Sequence, residues 1–267
     1  MGEAKIKQMS KRKFLAKPEN KFCVYCGAPA TTIDHFPPRN FFYKRQAPEG
    51  YTYPSCNFCN SGKSSDEQAL SLIVMMSSWE VDKDESRFDK LVRAVQNNRP
   101  EIIAEMTPLS NEQSKLHLRQ VVGSQDDVLK NKTAGWQIVD YGPEAIRLMN
   151  KMCVWFGQTL YFKHNKELFT GEIFVLTLPE YVKCCKKFQE LKSEFDGAPN
   201  ITHTSHDISK QFSYQYFAAK GIFCAILHFE APQIFFLICA LSQQTMNPNI
   251  NVLDGWYRSG LVGPKIK

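Results

Sequence analysis

The fold of the N-terminal part of the chain is decided by residues 22–67, which read FCVYCGAPATTIDHFPPRNFFYKRQAPEGYTYPSCNFCNSGKSSDE. Two CxxC pairs, Cys23 with Cys26 and Cys56 with Cys59, stand near its two ends. Each CxxC places two thiolates in one tight turn. Two such turns complete a tetrahedral site of four sulfur ligands, which suits zinc and leaves no position open for catalysis. We therefore predict a structural Zn²⁺ ion, the alternatives being two redox motifs or incidental cysteines.

The two pairs are separated by 29 residues, more than in a simple zinc ribbon, so a further element is inserted between them. The insertion contains TIDHFPPR, which ends at Arg39, and the second CxxC continues directly into Asn60 with Lys63 three residues later. An isolated pair such as Asp34-His35 is most often structural. Its position between the halves of a zinc site favours a chemical role instead.

Taken together, these features resemble the HNH endonuclease motif in its four-cysteine form. The segments CxxCG, DHxxP, PxCxxCNxxK and a following acidic pair, Asp66-Glu67, occur in the order that the family has. The resemblance implies a ββα-metal module in which His35 ends the first strand. It further implies a second short strand near Tyr53 to Ser55 and a helix that begins around Asn60.

The resemblance also implies roles for single residues. Asp34 and Asn60 would bind one catalytic divalent cation, Mg²⁺ or Mn²⁺, and His35 would be the general base, while the four cysteines hold the zinc. Arg39 and Lys63 are candidate phosphate contacts, the alternative being solvated surface cations. The sequence departs from the family at one place. The middle Asn, five residues before the third Cys, is Tyr51 here, so the positioning of His35 is in question.

The charge distribution favours a polyanionic partner for the same segment. Residues 1–63 carry eleven basic and four acidic side chains, a net charge of +7, whereas the other 204 residues carry a net charge of −1. We expect the basic arm, residues 1–21, to follow a nucleic-acid backbone, the alternative being a solubilising tail. The implied function is a metal-dependent endonuclease that hydrolyses double-stranded DNA, as in bacterial restriction or phage-defence systems. A non-catalytic zinc-stapled nucleic-acid-binding module and an RNA nuclease are the alternatives.

The remainder of the chain predicts an α+β fold. We divide the protein into the basic arm, an HNH module over 22–80, and a region over 81–267 with a role in recognition, dimerisation or regulation. Amphipathic helices are predicted within 84–122, an apolar helix over Glu144 to Phe162 and a helix over Pro179 to Phe195. Strands are predicted at Gly135 to Tyr141, Ile173 to Leu178, Phe212 to Phe217, Ile222 to Phe229 and Gln233 to Leu241, the last three forming an antiparallel meander.

The sequence also indicates in which cellular compartment the protein is found. Nine cysteines, an odd number of which four form CxxC pairs, argue against a secreted disulfide framework and favour a reducing compartment. The N-terminal residues lack the apolar run of a signal peptide, and the apolar runs in 222–241 are too short to span a bilayer. We expect a cytoplasmic protein with no membrane partner, acting as a homodimer or with a partner protein of a defence system.

Overall fold

The structure, a computed structural model, describes residues 11–76, 85–122, 139–179, 186–229, 234–245 and 255–264. Helices and strands are numbered here in chain order. The helices are α1 Lys11–Leu15, α2 Asn57–Gly62, α3 Ser64–Met76, α4 Glu85–Asn98, α5 Pro100–Glu105, α6 Asn111–Val122, α7 Pro143–Asn165 and α8 Lys186–Ser193. The strands are β1 Thr32–His35, β2 Thr52–Ser55, β3 Thr107–Pro108, β4 Val139–Asp140, β5 Gly171–Pro179, β6 Thr202–His203, β7 His206–Asp207, β8 Phe212–Ala219, β9 Ile222–Phe229, β10 Ile234–Ser242 and β11 Tyr257–Val262.

The C-terminal half is built on a five-stranded antiparallel sheet with the strand order β11-β5-β10-β9-β8. The last three strands in this order form the predicted meander. Its first turn passes through Gly221, whose φ of +76° is a conformation that a side chain disfavours. Apolar residues occupy both faces of β9 and β10 because helices cover both faces of the sheet: α7 packs on one, and Phe188 of α8 packs against Phe235 on the other.

The helix α7 is the central element of the core. It begins at Pro143, whose fixed φ and missing N–H suit the first helical position, and its buried face runs from Ala145 to Phe162. The apolar pattern that predicts this helix is therefore confirmed. The helix ends at Asn165 and is capped by Lys166, which adopts a left-handed conformation with φ of +61° and donates its backbone N–H to the Phe162 carbonyl.

The N-terminal residues form a β-hairpin and a helix that share this core. β1 pairs antiparallel with β2, so that Asp34 faces Tyr53 and His35 faces Thr52 in the register. Directly after β1, the ring of Phe36 packs 4.6 Å from that of Phe156 on α7. Buried side chains from the hairpin, α7 and the sheet thus belong to one hydrophobic cluster.

The α+β class is confirmed, and most predicted elements lie close to their predicted bounds. Two differ within the described residues. Helix α2 begins at Asn57 instead of Asn60, because the Cys56 sulfur accepts the Cys59 backbone N–H and caps the helix. Pro179 belongs to strand β5 instead of opening a helix, and the predicted helix is described only over Lys186–Ser193, because residues 180–185 lie outside the described residues.

Several predictions fall partly outside the described residues. Residues 77–84 include the predicted boundary between the HNH module and the following region, which stays a prediction. The predicted strand at 135–141 is described only at Val139–Asp140, which pairs with Thr107–Pro108. Among the helices of the described residues, none is both long and apolar enough to cross a bilayer.

Candidate metal centre and catalytic surface

The four cysteines of the two CxxC pairs come together at one point. The sulfur atoms of Cys23, Cys26, Cys56 and Cys59 all lie within 4.8 Å of one another, and those of Cys26 and Cys56 are 3.7 Å apart. With Zn–S bonds of about 2.3 Å, tetrahedral geometry separates neighbouring sulfur atoms by about 3.8 Å. The cluster therefore fits zinc in both its donor atoms and its dimensions.

The backbone geometry of the first CxxC turn brings its two sulfur atoms close together. In the first turn, the Gly27 N–H donates to the Cys23 carbonyl at 2.9 Å, and Gly27 has a φ of +73°. A Cβ at Gly27 would also lie 2.6 Å from the ring of Pro264, so this position requires glycine for two reasons.

Burial and the nearby Cys23 raise the pKa of the Cys59 thiol. A bound cation would offset the charge of the thiolates.

Asp34 is buried, with 4% of its surface exposed. Its Oδ2 atom accepts a hydrogen bond of 2.5 Å from the Tyr25 hydroxyl and forms an ion pair with the Lys63 ammonium. Tyr25 lies next to Cys26 in sequence and Lys63 follows Cys59 by four residues, so the cysteine cluster helps to bring both side chains to this carboxylate. The side chain that the resemblance assigns to a divalent cation is thus already neutralised by a residue of the chain.

Lys63 is also buried and does not lie where the phosphate-contact prediction requires it. Only 4% of its surface is exposed, and its ammonium donates to the Tyr25 hydroxyl at 2.9 Å in addition to Asp34. It also lies 3.4 Å from Glu67 Oε1. The physical reason is that the rings of Tyr25 and Trp155 flank its ammonium, so the charge pairs with a carboxylate inside the fold.

His35 lies at the end of β1, half-buried and next to a guanidinium. Its Nε2 atom is 2.7 Å from Nη2 of Arg39, and its Nδ1 atom is 3.4 Å from Thr52 Oγ1. Arginine can only donate hydrogen bonds, so Nε2 must be the acceptor and the imidazole is neutral, with its proton on Nδ1. Burial and the charge of Arg39 lower the pKa of His35, against the opposing effect of Asp34. The structure thus places His35 and Arg39 in contact, while their roles as base and phosphate contact stay predictions.

Asn60 lies on α2, one residue after Cys59, and its backbone N–H donates to the Cys56 carbonyl at 3.0 Å. α2 packs against β1, so Asn60 and Asp34 belong to neighbouring elements. Asp34, however, accepts from Lys63 and Tyr25 through the same oxygen. As they stand, the two side chains do not fit an open Mg²⁺ or Mn²⁺ site, and we derive no catalytic step through such an ion.

Tyr51 stands where the HNH motif has its middle Asn, and it holds the loop between β1 and β2 in position. Its carbonyl accepts the Phe36 N–H at 3.2 Å, which continues the hairpin ladder just beyond His35. Its hydroxyl donates to that of Tyr214 on β8 at 3.1 Å, and the Tyr214 hydroxyl lies 2.9 Å from His164 Nε2. Sequence reasoning missed this arrangement, since no local pattern relates residue 51 to residues 164 and 214.

Two further features lie on the surface of the N-terminal part. Helix α1 exposes Lys11, Arg12 and Lys13, which belong to the predicted basic arm, while residues 1–10 lie outside the described residues. Phe58, between the two cysteines of the second CxxC, is 87% exposed. Exposed aromatic rings and basic side chains are each found on surfaces that bind nucleic acid.

A comparison of the chain with models of protein families, with curated proteins and with solved structures finds no match.

Proposed function

We propose that the chain is an HNH-type endonuclease that hydrolyses phosphodiester bonds of DNA. The observation that carries the proposal is the neutral His35 imidazole, held against Arg39 at the end of a hairpin that a four-cysteine cluster joins to a helix. A neutral imidazole with a lone pair on Nε2 can take a proton from an attacking water. Such general-base catalysis contributes about 100-fold to 10,000-fold to a rate.

Arg39 has a second role in this proposal. Its guanidinium binds the non-bridging oxygens of the phosphate, whose negative charge is a stronger acceptor than a neutral imidazole nitrogen. Substrate binding would therefore draw Arg39 away from His35 and free the Nε2 lone pair for water. The zinc ion is structural, since four thiolates leave it no open position. The resemblance assigns a Mg²⁺ or Mn²⁺ ion to Asp34 and Asn60, but Asp34 is paired with Lys63, so no step of this proposal uses that ion.

The second candidate is a non-catalytic zinc-stapled module that binds nucleic acid. The buried ion pair between Asp34 and Lys63 favours it, because this pair occupies the carboxylate that a catalytic cation would need. The basic arm and Phe58 suit either candidate. Double-stranded DNA as substrate, a cytoplasmic role in restriction or phage defence, and a homodimer or partner protein likewise rest on the resemblance. RNA cleavage is the variant of the first candidate that the same site would support.

The test is a cleavage assay on plasmid DNA and on RNA with Mg²⁺ or Mn²⁺, alongside binding to the same substrates. We expect wild type to cut, and His35→Ala to lose at least 100-fold in rate while its affinity is unchanged. His206→Ala, at an exposed histidine on β7, is the matched control and should cut like wild type. Equal cleavage by His35→Ala and wild type would refute the assigned base. Binding by wild type without cleavage under any metal would support the second candidate.

A further inference from the structure

The ammonium group of Lys63 is enclosed by aromatic rings. It lies 4.2 Å from the ring centre of Tyr25 and 5.1 Å from those of Phe36 and Trp155. These rings come from the first zinc turn, from the residue after His35 and from helix α7. Aromatic faces attract a cation and exclude water from it. The Lys63 charge is therefore held at a fixed place by three separate parts of the fold.

The same ammonium faces three oxygen atoms. They are Oδ2 of Asp34, the hydroxyl of Tyr25 at 2.9 Å and Oε1 of Glu67 at 3.4 Å. Asp34 forms the closer of the two ion pairs with Lys63, and burial raises the pKa of Glu67 to about 7. A buried carboxylate without a counter-charge is strongly unfavourable, and Asp34 needs a cation in every folded state of the chain.

Oxygen atoms of carboxylates are also the ligands that Mg²⁺ and Mn²⁺ prefer. We propose that Lys63 is the resident cation of Asp34, and that a divalent ion competes with its ammonium for this carboxylate. The HNH interpretation gives Asp34 to the divalent ion alone, whereas here the chain itself occupies the position. The inference takes from the proposed function only the identity of Asp34 as the candidate ligand, and it concerns cation binding, which is measured without any substrate.

The first test measures Mn²⁺ binding by electron paramagnetic resonance of the zinc-loaded full chain. Lys63→Ala removes the ammonium and leaves the oxygen atoms, so we expect it to bind Mn²⁺ at least tenfold more tightly than wild type. Adding Asp34→Asn to Lys63→Ala should abolish the gain. Lys151→Ala is the matched control, because this ammonium also lies over Trp155 but pairs with Asp66, and its Mn²⁺ affinity should equal that of wild type. Equal affinities of Lys63→Ala and wild type would overturn the proposal.

The second test uses wild type alone and is independent of whether Lys63→Ala folds. Lysines are acylated with an amine-reactive ester, and the rates at Lys63 and at the exposed Lys44 are compared by peptide mass spectrometry. We expect Lys63 to react at least tenfold more slowly than Lys44, and saturating Mn²⁺ to accelerate only Lys63 by displacing it. Similar rates at the two lysines, or a slow Lys63 that Mn²⁺ leaves unchanged, would refute the competition.

The outcomes of these tests are separable from those of the cleavage assay. A chain in which Mn²⁺ displaces Lys63 but which cuts neither DNA nor RNA would retain this inference and lose the endonuclease proposal. A chain that cuts through His35 while Lys63 is unaffected by Mn²⁺ would retain the endonuclease and lose the competition.

Discussion

Arg39 and His35 form a contact of 2.7 Å between Nη2 and Nε2, and this contact fixes both the charge and the tautomer of the histidine. The guanidinium carries only donors, so the imidazole must accept. The same contact brings a phosphate-binding side chain and a candidate base to one point at the end of β1. It also keeps the reactive nitrogen occupied until another acceptor takes the guanidinium.

Replacing Arg39 should therefore change the titration of His35. Arg39 lowers the pKa of His35 through its positive charge, so Arg39→Ala should raise it. The neutral base form is present above the pKa, and the loss of His35 charge should accordingly occur at higher pH in the variant. The measurement is an NMR titration of the imidazole carbon protons. Arg45→Ala, at an exposed arginine, is the control, and an identical His35 pKa in wild type and Arg39→Ala would contradict the assignment.

Loss of the zinc site should unfold more than the two turns. The cluster joins the first CxxC turn to α2, and the module they form shares its buried residues with α7. We expect Cys56→Ser to lose its zinc and to lower the free energy of unfolding by several kcal/mol, since zinc contributes on the order of 10 kcal/mol in isolated zinc-finger peptides. Metal analysis and thermal unfolding test this. Cys239→Ser, in strand β10, should keep its zinc.

Asp66 should be a major electrostatic anchor of α3. It is buried and accepts from Arg99 and from Lys151, the latter at 2.6 Å, which ties α3 to α7 and to the residue before α5. Asp66→Ala leaves a mostly buried guanidinium with fewer partners, and we expect a loss of about 3 kcal/mol in chemical unfolding. The exposed Asp89→Ala on α4 should change stability by less than about 0.5 kcal/mol. If Asp66→Ala loses no more stability than Asp89→Ala, the ion pairs of Asp66 are dispensable for the fold.

The hydroxyl of Tyr51 should stabilise the loop that precedes β2. Tyr51→Phe removes the hydrogen bond to Tyr214 and should lower the free energy of unfolding by about 1 kcal/mol. Tyr51→Ala also removes the buried ring and should lower it by about 3 to 5 kcal/mol. Urea unfolding gives both values, with Tyr257→Phe on the sheet edge as the control. Equal stabilities of Tyr51→Phe and wild type would show that the hydroxyl contributes nothing.

His164 should make the fold sensitive to acid. Burial, Lys163 and Lys166 lower its pKa from 6.5 to about 4. Because the folded state disfavours the charged ring, the contribution of His164 to stability is complete above pH 6.5 and decreases as the pH falls towards 4.

The matched variant is His164→Phe, which retains the ring stacking on Phe223 and removes the titration. Thermal unfolding between pH 7 and pH 4 should then show a smaller loss of stability than in wild type. An identical pH dependence in the two proteins would assign the acid sensitivity to other groups.

The sequence by itself determined the elements whose causes are local. Zinc-ligand spacing places Cys23, Cys26, Cys56 and Cys59 in two tight turns, and the prolines after His35 end β1. Apolar periodicity determined α7 and the meander, because each such pattern is carried by neighbouring residues that share one face. The α+β class follows from these patterns together.

Only the tertiary structure decided what the side chains at the site contact. Lys63 bonds to a carboxylate 29 residues away, and Tyr51 bonds to a hydroxyl 163 residues away. No periodicity encodes such pairs, since they arise where α7 and the sheet close over the hairpin and exclude water. The lysine of CNxxK predicts a phosphate contact when its chain neighbours alone are considered. Burial against Tyr25 and Trp155 turns the same ammonium towards Asp34, because a charge removed from water must find its counter-charge inside the fold.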